Sequence, residues 1–365
     1  MAAEVSPSGH RAAPMPRLQW GALGKAALQV NLAVAAIWSL WQLAHFLKFF
    51  SGHDFIFYYR PDAMRALDLG WSAFYTGTDH NVFPPLHGLV VLPFLFFSPS
   101  VGYILWTLAS LFALVLTWRL AGNGKWWQLA LMALFFPVLY TLALGQVVLL
   151  VVALVTLAWW LSERNQGLVA GFVLSLATLK PQLILLLPLV LLLAGHKREF
   201  AGFLLGSLAI GLLSLWLVGI HSIHLLLENT QWAAAHHQAI AVLDSTVLIY
   251  WLPAPWGLMA TVGAGLLTLV AAWRLRGQVI APVYALGLLG SLLVTPYSHW
   301  QDLTIWMIAA LLLWRSLGVP RLLAAAGVLV SWLVLFGVPL ISLGGLLVIL
   351  LRAKADGTSE AKVLS

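Results

Sequence analysis

An all-α, polytopic transmembrane bundle of about twelve crossings is the fold class this sequence predicts, and three observations carry it. Of 365 residues, 62% are apolar and 8% charged, with a mean hydropathy of +0.94; soluble domains are about a quarter charged. The apolar residues fall in runs close to the roughly 20 needed to cross a hydrocarbon core, with short polar breaks and none of the alternation of barrel strands. The basic residues flank these runs asymmetrically, and that asymmetry orients them.

Taken in order, residues 1–25 form a cytoplasmic N-terminal tail with Arg11, Arg17 and Lys25. The first apolar run, 27–49, is too long for a signal-peptide core and reads as a retained helix. Residues 51–98 then form a first external loop. It is the one long polar interruption, with Asp54, Asp62, Asp68 and Asp79, and its apolar stretch 86–97 is short enough to lie as a surface helix. Further crossings are expected at 100–118, 126–144, 147–161, 167–179, 183–195, 200–219, 256–273, 279–294, 303–314, 321–337 and 340–351. The transmembrane domain thus spans 26–352, and 353–365 is a polar cytoplasmic tail.

Charge counting decides the fate of 86–97. If it does not cross, Arg119, Lys125, Arg164, Lys197, Arg198, Arg274, Arg276, Arg315, Arg321, Arg352, Lys354 and Lys362 share the cytoplasmic side with the N-terminal tail, leaving Lys48, Arg60, Arg65 and Lys180 outside. If it crosses, the asymmetry collapses. The net charge of +7 is therefore an orienting feature and implies no nucleic-acid partner. With no Cys in the chain, disulfides and thiolate chemistry are excluded.

This topology gathers several polar clusters on the outer face: His53, Asp54 and Tyr58 to Arg60; Pro84 to His87; Gly145 and Gln146; Lys180 to Gln182; Pro296 to Asp302; and the loop 221–244 with Glu228, His236 and His237. Polar groups that converge at one membrane depth line a cavity, because exposure to lipid is costly. Asp54 sits among Phe55, Phe57, Tyr58 and Tyr59. On the residues alone it reads equally as a base sharpened by a partly dry aromatic setting and as a solvated carboxylate beside an interfacial aromatic belt. Asp62 and Asp68 read as cap and face charges of a surface helix opened by Pro61, and Asp79 as a loop residue.

Lys180 ends an apolar run and Pro181 breaks the helix after it. An isolated lysine there would snorkel to the interface; with Pro and Gln following, and few other outer-face lysines, phosphate binding is favoured. His299 and Asp302 suit either a phosphate or sugar contact or an interfacial capping set, and Gln146 suits helix pairing as well as ligand contact. His221, His224, His236 and His237 lack the spacing of a helical zinc motif and read as interfacial loop residues.

Several segments together resemble glycosyltransferase family 87, the polyprenol-phosphate-mannose-dependent transferases of the GT-C fold: DFIFYYRPDAMRAL followed by FPPLHGLVVLPF, then GQVVLLVVALVTLAWWL, AGFVLSLATLKPQLILLLPLVLL and TPYSHWQDL. They occur in the family's order over about residues 50–310. Val148 departs from the pattern, standing where the family usually has Asn after Gly-Gln-Val, and GWSAFYTGTDHNV replaces a glycine-rich stretch.

The resemblance implies an external loop with surface helices, Asp54 as general base, and a lipid-phosphate site with Lys180 and His299, to which Arg60 is added. Substrate contacts are expected at Tyr58, Tyr59, Gln146, Gln182, Asp302 and His237. The implied activity is inverting transfer of a hexose, mannose foremost, from a polyprenyl-phosphate donor to an acceptor hydroxyl on the external face of a bacterial inner membrane. The implied partners are the lipid-linked donor, a glycan, glycolipid or protein acceptor, and membrane lipids, with no cofactor or metal. A carrier or flippase for lipid-linked sugars is the rival, although no repeated half of the kind carriers show is visible. A non-catalytic scaffold is a third.

Overall fold

The apolar runs become helices, and the breaks between them become the turns that carry the polar residues. The computed structural model describes residues 52–317 except 78–80, 123, 245–251, 253 and 296, together with Ile37 and Ala44; for 234–244 and 314–317 it describes the backbone alone. The rest of the first apolar run, the runs beyond 317, both tails and Asp79 lie outside the described residues, among which there is no strand.

A turn of π-helix, Phe55–Tyr59, runs straight into α1 (Arg60–Leu69). The short α2 (Pro85–Val91) tightens into a 3-10 turn at Leu92–Phe94. Helix α2 begins with Pro85 in its first turn, where the missing N–H costs no hydrogen bond, whereas Pro61 follows directly on the π-helical turn. There follow α3 (Pro99–Ala121), α4 (Trp126–Leu134), α5 (Phe136–Leu144), α6 (Val148–Ser162), α7 (Gly167–Leu176), α8 (Leu187–Leu193), α9 (Lys197–Val218), α10 (His221–Asp244), α11 (Trp256–Arg274), α12 (Ile280–Val294) and α13 (Thr304–Leu317).

Three of these, α3, α9 and α11, are long and apolar enough to cross a membrane; the pair α4 and α5 makes a fourth if it is taken as one span. The described residues thus supply three or four of the twelve crossings that the sequence predicts. The run 126–144, expected as one crossing, is bent by 60°. Phe135 is extended, and Pro137 can neither donate to the preceding turn nor fit its ring against it. The segment 221–244, expected as a loop, is the helix α10. In it His224 and Glu228 pair at i,i+4 across 3.2 Å with both side chains exposed, an arrangement of the kind that supports an isolated helix turn.

The long helices face outward with apolar side chains: Ile104, Leu108 and Phe112 on α3, Leu205, Leu208 and Leu212 on α9, and Leu258, Val262 and Leu266 on α11 are all exposed. This is the surface that lipid covers in a membrane bundle. The interior is built from shorter pieces. Helix α6 has 15 residues, about 22 Å, against a hydrocarbon core of about 30 Å, and it packs against α3, α7 and α13. Helix α12 is buried along nearly its whole length between α8, α11 and α13.

Helices α7 and α9 meet backbone to backbone. A Cβ on Gly171 would stand 1.9 Å from the Glu199 carbonyl oxygen, and one on Gly202 would stand 2.0 Å from that of Leu168. Small residues permit this approach, and the dispersion contacts it creates hold membrane helices together where lipid gives no hydrophobic drive. The short interior helices end in turns at 145–147, 180 and 297–303, and these turns meet one another and the loop that opens at Gly52.

Candidate active site

The approach of the 52–60 segment to the α5–α6 turn depends on two glycines. Gly52, at φ 71°, donates its N–H to the Ala143 carbonyl at 2.8 Å. Gly145, at φ 74°, closes α5; a Cβ there would stand 2.8 Å from the Phe55 Cβ. The left-handed conformation and the close approach both exclude a larger side chain. Phe55 is then buried against Phe94, Tyr103 and Trp106, which anchors the π-helical turn.

This anchoring aims Asp54 at Gln146. Asp54 Oδ2 accepts from Gln146 Nε2, and Asp54 Oδ1 lies 3.2 Å from His53 Nδ1. Gln146 is buried and its orientation is determined by its neighbours. Its Oε1 accepts from the Tyr59 hydroxyl at 2.7 Å and from Lys180 Nζ at 3.2 Å. Exchanging the amide's oxygen and nitrogen would set an NH₂ against an ammonium and an oxygen against a carboxylate. Tyr59 is buried too, and burial first, with the nearby Asp54 charge second, keeps its phenol protonated well beyond its usual range.

Lys180 lies in the break between two 3-10 turns, Ala177–Leu179 and Pro181–Ile184, at φ −141° and ψ 78°. Pro181 enforces that break, as the residue before proline is pushed out of helical geometry. The side chain turns inward and is only 1% exposed. Its Nζ donates to Asp302 Oδ1 at 2.5 Å, and Asp302 is 0% exposed. The other oxygen, Asp302 Oδ2, accepts from the His299 backbone N–H at 3.1 Å, which caps the turn Trp300–Leu303. Thr141, from the end of α5, reaches Thr304 at 3.2 Å and fastens this turn to the bundle.

The result is one chain of directed contacts, His53 to Asp54 to Gln146 to Lys180 to Asp302, with Tyr59 on the amide. It holds two carboxylates and one ammonium. The His53 hydrogen bond to Asp54 is the main effect on its ring and raises its affinity for a proton, against a smaller opposing effect of burial.

The family profile of glycosyltransferase family 87 matches residues 81–296, more than half of the chain. The chain belongs to glycosyltransferase family 87. No curated protein and no solved structure matches it. Membership makes the chain a membrane glycosyltransferase. The matched span contains Gln146, Lys180 and Gln182; Asp54, Tyr58, Tyr59 and Arg60 precede it, and His299 and Asp302 follow it.

In this family 87 chain the structure brings Asp54, Tyr59, Gln146, Lys180 and Asp302 into one network. His299 joins it through its backbone, and its ring lies 5.4 Å from Tyr297, which is hydrogen-bonded to Gln182. Arg60 points elsewhere: its guanidinium donates to the carbonyls of Phe94 at 3.2 Å and Leu95 at 3.4 Å, fastening the π-helical turn to the 3-10 turn that follows α2. Tyr58 is exposed beside His53, at 5.5 Å between rings. The side chain of His237 lies outside the described residues. Asp62 pairs with Arg65 at 2.9 Å within α1, and Asp68 is exposed on the same helix.

Sequence reasoning placed His53, His87 and Tyr297 within the outer-face polar clusters but assigned none of them an individual role. His53 was discoverable from its position beside Asp54, and Tyr297 from its place in TPYSHWQDL. Among the described residues no three His, Asp or Glu side chains gather closely enough to hold a metal ion.

Proposed function

We propose that this family 87 chain transfers a hexose, mannose foremost, from a polyprenyl-phosphate donor to an acceptor hydroxyl, with inversion, at the outer face of a bacterial cell membrane. The observation that carries the reading is the two-sided grip on Asp54. One carboxylate oxygen meets His53 and the other meets an amide held in orientation by Tyr59 and Lys180. A base held in this way has little freedom to lose on meeting the acceptor.

In the proposed reaction the acceptor O–H bond breaks as its proton passes to Asp54, and the acceptor oxygen forms a bond to the anomeric carbon. The bond from that carbon to the phosphate oxygen breaks, and its electron pair leaves on polyprenyl phosphate. Lys180 and His299 face the departing phosphate. Lys180 has three N–H donors, of which Gln146 and Asp302 take two, so the third is available for a phosphate oxygen. The positive charge is already balanced by Asp302, so the phosphate gains a directed donor here more than a free cation. Arg60 is left out of this assignment because two backbone carbonyls occupy it. Gln182 and Tyr297 border the same side as His299 and are assigned to substrate contact.

The test incubates purified protein with polyprenyl phosphates carrying different hexoses and an acceptor glycolipid, and measures release of free polyprenyl phosphate together with a new glycosidic bond. Both products are expected. Movement of labelled donor across liposomes with no new bond would identify a carrier instead.

A further inference from the structure

The proposed reaction leaves some buried polar side chains near the site unused, and one of them packs directly on Tyr59. His87, on α2, is 2% exposed. Its ring stacks on Phe83 at 4.5 Å between centroids with 19° between planes, and meets Tyr59 edge to face at 4.1 Å and 77°. Tyr59 is the residue whose hydroxyl holds Gln146. His87 therefore lies against the same side chain that orients the network, approached from the surface helix. Its Nε2 is fully buried and has no hydrogen-bond partner among the described residues.

That arrangement is costly without a ligand. A buried ring nitrogen left unpaired forfeits the hydrogen bonds it made in water, whereas a phenylalanine of the same shape would keep the packing and leave nothing unpaired. The ring is also electrically neutral. Burial first, and the charge of Lys180 second, lower its proton affinity to a pKa of about 3. A neutral imidazole carries one donor and one acceptor nitrogen. A hydroxyl, itself both donor and acceptor, satisfies either tautomer; a phosphate, which only accepts and favours a cation, suits Lys180 better. Phe83 is only partly buried and adds an aromatic surface of the type that packs against the C–H face of a pyranose.

We infer that His87 is a specificity-determining contact to the donor sugar, its imidazole hydrogen-bonding one hydroxyl of the hexose while Phe83 and Tyr59 hold the ring in place. This rests on the transfer reading above and adds to it a subsite on the surface helix.

The experiment compares the full-length wild type with His87→Phe, using polyprenyl-phosphate hexoses of gluco, manno and galacto configuration and the singly deoxygenated forms of the preferred one. Transfer kinetics and thermal unfolding are both measured. His87→Phe is expected to unfold at the same temperature as wild type or higher, since packing is kept and the orphan nitrogen removed. Its kcat/KM for the preferred hexose should fall about ten- to a hundredfold, and discrimination against one deoxy position should disappear.

A purely structural histidine predicts the reverse pattern, namely greater stability with unchanged kcat/KM and unchanged discrimination, and that result overturns the contact. His87→Gln, which returns an amide near the same place, should recover part of the discrimination; a Gln variant as indiscriminate as the Phe variant counts against the hydrogen bond. Wild type that transfers no hexose from any of these lipids overturns the transfer reading and the contact together. Wild-type transfer with an unaltered His87→Phe profile overturns the contact alone.

Discussion

The junction at Asp54, Gln146, Lys180 and Asp302 and the seam between α7 and α9 are buried in the same bundle but are held by opposite means. In the junction every contact is directed. Charges and amides at fixed distances link turns up to 122 residues apart in sequence. In the seam the closest contacts are backbone against backbone at Gly171 and Gly202, and the Glu199 side chain lies against Gly167. The seam gives the bundle its shape and tolerates no added volume. The junction tolerates some change of volume but no change of charge or hydrogen-bonding sense. Burial by itself therefore says little about what a residue does, and substitutions separate the two regions by which property fails.

The largest expected effect is at the junction and falls on chemistry alone. Asp54→Asn keeps the size of the side chain and removes the base, so turnover should drop by about 10²- to 10⁴-fold with thermal unfolding in detergent unchanged. Substantial activity in this variant would return Asp54 to the role of an interfacial loop carboxylate.

Lys180→Met comes next and should damage both properties. It leaves Asp302 as a fully buried charge without its counter-ion, a loss of about 3–5 kcal/mol for a broken buried pair. Adding Asp302→Leu should recover much of the stability and none of the activity. If the double variant recovered activity as well, the pair would be structural and the phosphate would have to be met by other groups.

Gly171→Ala, at the seam, should lower stability by about 1–3 kcal/mol through overpacking, because its Cβ has a backbone oxygen in its way. The protein that does fold should keep its kcat/KM. A large kcat/KM loss at wild-type stability would contradict the separation drawn here.

The smallest effect is a matter of pH. His87 is held neutral in the folded protein at pKa about 3, below the unperturbed 6.5. Above about pH 6.5 both states leave it neutral and it contributes nothing to the pH dependence; as pH falls below that value only the unfolded chain takes up the proton, so stability declines with acid toward pH 3. The unfolding temperature of His87→Phe, measured from pH 7 to 5, should therefore fall less steeply than that of wild type.

Much of this was legible beforehand. The apolar runs foretold the helices from Pro99 to Leu317 other than α10, since a stretch that lipid or a bundle interior must bury has to satisfy its own backbone. Pro181 announced the break at Lys180, and the run at 86–97 forms only a short helix. The proline bend at 135–137 was passed over because the hydropathy of 126–144 is continuous across it. Helix α10 was passed over because its mixed His, Gln and Asn content has no strong periodicity.

At the site, Asp54, Gln146, Lys180, His299 and Asp302 stood out as polar residues at the ends of apolar runs, and local sequence was sufficient to mark them. It was not sufficient to pair them. Which carboxylate neutralises Lys180, which way the Gln146 amide faces, and that Arg60 turns toward Phe94 and Leu95 all depend on where turns distant in sequence come to rest. The sequence by itself determined the membrane class, the helix breaks and the polar residues placed at them, because these follow from local hydropathy and backbone restriction. Only the tertiary structure decided that those breaks converge on one another and that His87 keeps a nitrogen without a partner among the described residues, because hydrogen-bond partnership is a property of positions in space that no single segment encodes.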